Sequence, residues 1–121
     1  MATKEEKAEL NKVDTALEKL EKELKSTYGT VYKITIVPNE DVKTTKEFLV
    51  GYFKGLDFKT ASVVAKLSVS DPLSAAKILA QNTIIKEHSD SEILDNWQAT
   101  VSAGQELQRL VEFPNASAAK L

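Results

Sequence analysis

The densest run of chemistry-bearing side chains is Glu87-His88-Ser89-Asp90, which sets a histidine, a hydroxyl and two carboxylates side by side. A nucleophilic triad is assembled in space from separate segments, and neighbours along one chain cannot aim at one another in that geometry. Ser89 also has a competing role, because Ser89-Asp90-Ser91-Glu92 reads as a capping box at a helix start. The same stretch offers a metal reading through His88, Asp90, Glu92 and Asp95. A zinc site needs several strong ligands and the chain has a single histidine and no cysteine. A calcium loop needs alternating acids with a turn glycine, which is absent here. Carboxylates in the first turn of a helix are explained by its dipole. No catalytic, cofactor or metal residue is therefore assigned, and a non-enzymatic protein without cofactors is expected.

Other fragments are weaker. Lys54-Gly55-Leu56-Asp57-Phe58 has the aromatic and basic character of an RNA-recognition strand, but Leu56 stands where an aromatic would stack and Asp57 repels phosphate. The net charge of -2 gives no long-range attraction to nucleic acid. Asn115-Ala116-Ser117 matches a glycosylation acceptor, and the four glycines form no phosphate loop. The charged start of the chain lacks the apolar run of a signal peptide, and no stretch has the ~20 apolar residues of a bilayer span. The expectation is a soluble, cytoplasmic, single-domain protein with neither nucleic-acid nor membrane partners.

The elements that must position any site are clearer than the chemistry. Leu10, Val13, Leu17, Leu20 and Leu24 follow a 3, 4, 3, 4 spacing, an apolar heptad seam on an otherwise charged helix from about Ala2 to Ser26. Glu18 with Lys22 and Glu21 with Lys25 are i,i+4 pairs. Two heptads are short for a self-sufficient coiled coil, so the seam needs a partner surface, its own domain or another chain. Gly29 is free to take a positive φ and end the helix.

Val31 to Val37 alternates as a strand, with Tyr32, Ile34 and Ile36 on one face. Pro38-Asn39-Glu40-Asp41 is loop chemistry. Phe48 to Lys54 reads as the return strand, with Phe48, Val50 and Tyr52 on one face and Leu49 and Phe53 on the other. Apolar residues on both faces imply a strand covered on two sides, or on one side awaiting a partner.

Asp57 caps a helix from about Phe58 to Val69. Asp71 caps the next, with Pro72 at its first position and Leu73, Ala76, Leu79, Ala80 and Thr83 as its buried stripe. A last, long helix is expected from Asp90 to Glu112, buried through Ile93, Leu94, Trp97, Val101, Gly104, Leu107, Leu110 and Val111, and stopped by Phe113-Pro114-Asn115. The fold class is α+β and mainly helical: an amphipathic N-terminal helix, one β-hairpin, then three helices. The expected organisation is a heptad helix over 1–27, an α+β domain over 28–113 and a flexible tail over 114–121. Tyr52, Phe53 and Phe58 are either a partner-binding surface or core between hairpin and helices.

The order Tyr28-Gly29-Thr30-Val31-Tyr32-Lys33-Ile34, then Tyr52-Phe53-Lys54, Asp57-Phe58-Lys59-Thr60 and Asp71-Pro72-Leu73 resembles the tail assembly chaperones of long-tailed bacteriophages, over Tyr28 to Glu112. The resemblance implies a non-enzymatic protein of virus morphogenesis, working in the host cytoplasm. It would coat the helical tape-measure protein and engage tail-tube subunits, and be absent from the finished particle. A frameshifted longer form is also implied. The heptad residues Leu10, Val13, Leu17, Leu20 and Leu24 are the candidate binding surface, with Tyr52, Phe53 and Phe58 beside them, and self-association through the same helix is an alternative use. A structural virion or head–tail component, and a cellular coiled-coil adaptor, are the competing readings.

Overall fold

The computed structural model describes residues 4–111 and 116–121, with side chains described from Thr15 onward. The first element, α1, spans Lys4–Tyr28 and ends where Gly29 turns to φ +79 and donates its N–H to the Lys25 carbonyl at 2.9 Å. Only glycine takes that left-handed backbone without a Cβ penalty.

The hairpin follows. Strands β1 (Val31–Ile36) and β2 (Leu49–Lys54) pair antiparallel, with Ile34 opposite Gly51. Tyr32, Ile34 and Ile36 face the main core as their alternation requires. Strand β2 is covered on both sides. Leu49 and Phe53 enter the main core, whereas Tyr52 and Val50 join Leu24, Leu20, Val31 and Ile85 in a smaller cluster under α1. Phe48, expected on the strand, lies just before it and is exposed.

Helices α2 (Phe58–Ser70) and α3 (Pro72–Thr83) start as expected. The Asp57 carboxylate accepts from the Thr60 N–H at 2.7 Å, and Asp71 accepts from the Ser74 N–H at 3.2 Å. The side-chain hydroxyls of Thr60 and Ser74, helped by these backbone bonds, hold both carboxyls below the usual carboxylate range. The α3 stripe needs one correction: Ala76, Leu79, Ala80 and Thr83 are buried as expected and Ala75 joins them, but Leu73, in the first turn, is exposed.

The expected long last helix is not continuous. A 3-10 turn at Lys86–His88 precedes a one-turn helix, α4 (Glu92–Asp95), and then α5 (Trp97–Leu110). Four α-helices thus follow the hairpin among the described residues, not three. Asn96 makes the break. Its backbone is extended and its side-chain oxygen accepts from the Gln98 N–H at 2.9 Å, the ordinary work of an N-cap. Thr100, buried, spans the break by donating its hydroxyl to the Ile93 carbonyl, with an oxygen–oxygen distance of 2.6 Å. Trp97, expected in the core, is exposed at the first position of α5, while Ala99, Thr100 and Ala103 are buried beside the expected Val101, Gly104 and Leu107. The expected stop at Phe113-Pro114-Asn115 lies outside the described residues.

Helices α3 and α5 cross in close contact. A Cβ built on Gly104 would stand 1.8 Å from the Ala76 carbonyl oxygen, so only glycine permits this approach. Ala75, Ala76, Ala99 and Ala103 line the two helices with side chains small enough to match it. Ala116 to Leu121 carry no helix or strand and are exposed.

Candidate partner-binding surface

The seam on α1 is divided by its own domain. Leu24 is 4% exposed, packed against Tyr52 and Ile85, and Leu20 packs partly on the same cluster. One turn further from the hairpin, Leu17 is 38% exposed. The helix continues beyond Leu17 to Lys4, about 20 Å at 1.5 Å per residue. The side chains of Leu10 and Val13 lie outside those described. One end of the stripe therefore serves the fold, and Leu17, one turn from it, is open to solvent.

An ionic clasp holds the docked end. Glu21 accepts from the Lys33 ammonium on β1 at 3.0 Å and from the Tyr52 hydroxyl at 3.2 Å, and Lys33 lies 5.9 Å from the Tyr52 ring centroid. Glu21 thus reaches across to the sheet rather than to Lys25 on its own helix. These groups, with Lys25, Gly29, Thr30 and Val31, line an open cleft of about 670 Å³. The Glu21 carboxylate raises the Lys33 pKa, and burial raises that of Tyr52. A lysine that stays protonated and a tyrosine that stays neutral offer neither base nor nucleophile near neutral pH. The clasp is chemistry for orienting a helix.

Of the other candidate residues, Phe53 is 0% exposed at the centre of the main core and cannot meet a partner. Tyr52 is buried beneath Leu24, and Phe58 stands 87% exposed at the start of α2. The three do not share a surface. Alternation along β2 sends Tyr52 and Phe53 to opposite faces, both covered.

The His88-Ser89-Asp90 run is occupied by the sheet. Ile85 donates its N–H to the Tyr52 carbonyl at 2.7 Å, and Asp90 donates to the Val50 carbonyl at 3.0 Å. In return, Ser89 Oγ accepts from the Tyr52 N–H at 2.9 Å and the Asp90 carboxylate accepts from the Val50 N–H at 2.7 Å. The segment stands in for a third strand, with two side chains replacing backbone acceptors. Burial pushes the Asp90 carboxyl up, but the ion pair with Lys46 and the Val50 N–H outweigh it and hold it below the usual range. Glu92 bonds to Thr45 across the loop rather than back to Ser89, so the expected capping box does not form. Among the described residues, no three His, Cys, Asp or Glu side chains are grouped to hold a metal ion. No helix there is long and apolar enough to cross a membrane.

In comparisons with protein-family models, curated proteins and solved structures, none matches this chain.

Proposed function

We propose that this chain is a non-enzymatic protein-binding module, acting as a tail assembly chaperone in bacteriophage morphogenesis. Its clients would be the helical tape-measure protein and the tail-tube subunits. The observation that supports this reading most is the divided seam, buried at Leu24, half-buried at Leu20 and open at Leu17. An apolar stripe anchored at Leu24 and open at Leu17 offers a second amphipathic helix a place to pack. A tape-measure helix exposes such stripes until the tube encloses it, and the fit is helix against helix. Burying three or four aliphatic side chains supplies several kcal/mol, of which association entropy removes a large part, leaving moderate and reversible binding. Reversibility is what a chaperone absent from the particle requires.

The test is a tagged pull-down from infected cells with the captured chains identified by mass spectrometry, alongside analysis of purified particles. Recovery of a very long helical protein and a tube-forming subunit, with the chain missing from particles, supports the reading. The chain in finished particles makes it a structural component instead. Recovery of host proteins alone makes it an adaptor.

A further inference from the structure

The two edges of the hairpin are treated differently. Val50 and Tyr52 turn their N–H and carbonyl groups away from β1, where the Ile85 to Asp90 segment pairs with them. In an antiparallel strand successive residues point these groups to opposite sides. Leu49, Gly51 and Phe53 therefore bond to β1, and their partners there are Ile36, Ile34 and Tyr32. It follows that Val31, Lys33 and Thr35 present their backbone groups on the far edge of β1. No backbone atom of these three has a hydrogen-bond partner on that side among the described residues. An open groove of about 340 Å³ runs along this edge, lined by Lys33 to Val37 and by Ser102, Glu106 and Leu110 of α5.

An unpaired strand edge is a template for another strand unless it is blocked by proline, a bulge or a covering element. Within Val31 to Val37 there is no proline, and β1 pairs with β2 without a bulge. The order Val31-Tyr32-Lys33-Ile34-Thr35-Ile36-Val37 is also nearly symmetric about Ile34. Apolar side chains occupy 32, 34 and 36, polar ones 33 and 35, and valines both ends.

We infer that the free edge of β1 pairs with β1 of a second copy of this chain, antiparallel about a two-fold axis at Ile34, joining the two hairpins into a four-stranded sheet. In this register the outward-pointing residues form the hydrogen-bonded pairs, Lys33 with the second copy's residue 35 and Val31 with its residue 37. Each face stays continuous, so Tyr32, Ile34 and Ile36 remain on the core side. Shifting the axis to residue 33 would set two lysines directly opposite, which is unfavourable. The axis at Ile34 also pairs all seven residues. This surface is separate from the α1 seam, and the dimer can stand or fall independently of the chaperone reading.

The experiment is sedimentation equilibrium of the full chain across a concentration series, with three substitutions. Thr35→Lys sets lysine opposite Lys33 twice per dimer and weakens association by roughly 2- to 30-fold, whereas Thr35→Glu tightens it over a similar range. Leu17→Asp leaves the dimer unchanged. The wild-type Lys33 and Thr35 amides should also become protected from hydrogen exchange as concentration rises. Far-UV circular dichroism checks that each variant is folded. A wild type that remains monomeric at several hundred micromolar overturns the inference. So does a dimer in which Thr35→Lys and Thr35→Glu shift association in the same direction, or one that Leu17→Asp dissolves.

Discussion

Truncating Leu24 and Leu17 to alanine, one at a time, separates the part of the seam that belongs to the fold from the part left free. Leu24 sits in a closed cluster with Tyr52 and Ile85, so its removal loses the transfer energy of a buried side chain and leaves a cavity under α1. Such losses run to about 2–5 kcal/mol, and a site at the edge of the fold that can partly collapse belongs at about 2–3. Leu17, with over a third of its surface in water, has little to lose, and leucine and alanine are both good helix formers. Its truncation should cost about 0.5 kcal/mol or less. In urea, with a slope of about 2 kcal/mol per molar, the Leu24→Ala midpoint falls by about 1–1.5 M and the Leu17→Ala midpoint by about 0.25 M or less. Intrinsic fluorescence and circular dichroism together follow the loss of tertiary packing and of helix content. Equal shifts for the two variants would refute the division of the seam, and with it the argument that Leu17 is available to a partner.

Gly104→Ala should destabilise the protein by about 2 kcal/mol or more in the same assay, because overpacking against the Ala76 carbonyl outweighs the roughly 1 kcal/mol gain in helix propensity. A stabilised variant would mean that α3 and α5 separate without cost. Asp90 has a folded pKa below its ordinary value, so it stabilises the fold above the ordinary carboxylate range, and that contribution is lost as pH falls through the folded pKa. Urea midpoints between pH 7 and pH 3 should therefore fall less steeply for Asp90→Asn than for wild type; identical slopes would remove Asp90 from the account. Asp90→Ala, which deprives the Val50 N–H of its acceptor, should cost about 1–2 kcal/mol near neutral pH, read from the same curves.

Much of the architecture was legible because local signals and tertiary packing agree. The Asp57 and Asp71-Pro72 caps, the positive φ at Gly29 and the alternation of β1 are set by a few neighbouring residues. The split of the last helix was hidden by competing signals. Ser89 through Glu92 satisfies the pattern of a capping box, yet Ser89 and Asp90 are drawn away by unpaired backbone groups of β2, some 40 positions earlier in the chain. Asn96, a strong N-cap residue two positions before Gln98, was the signal that could have placed the true start of α5. Trp97 and Leu73 were misplaced because each lies in the opening turn of its helix, where the stripe spacing holds but the core does not yet cover the side chain.

The candidate surface was only partly legible. Spacing alone made Leu10 to Leu24 a single stripe, and nothing local to the helix says that Leu24 is taken by Tyr52 while Leu17 is not. The aromatic trio failed as a surface because Tyr52 and Phe53 are adjacent on a strand with both faces covered. The free edge of β1 was not seen at all: which edge is open depends on where the Ile85 to Asp90 segment settles.

The measurement closest to the central claim is capture of the tape-measure protein and tube subunits from infected cells by tagged wild-type chain and by tagged Leu17→Asp, compared side by side. Circular dichroism and urea midpoints, matched within about 0.5 M, would show that the variant keeps its fold. The account predicts that the wild type recovers both clients and that Leu17→Asp recovers neither. Undiminished capture by Leu17→Asp would contradict it, and binding would then have to be sought away from the open end of α1.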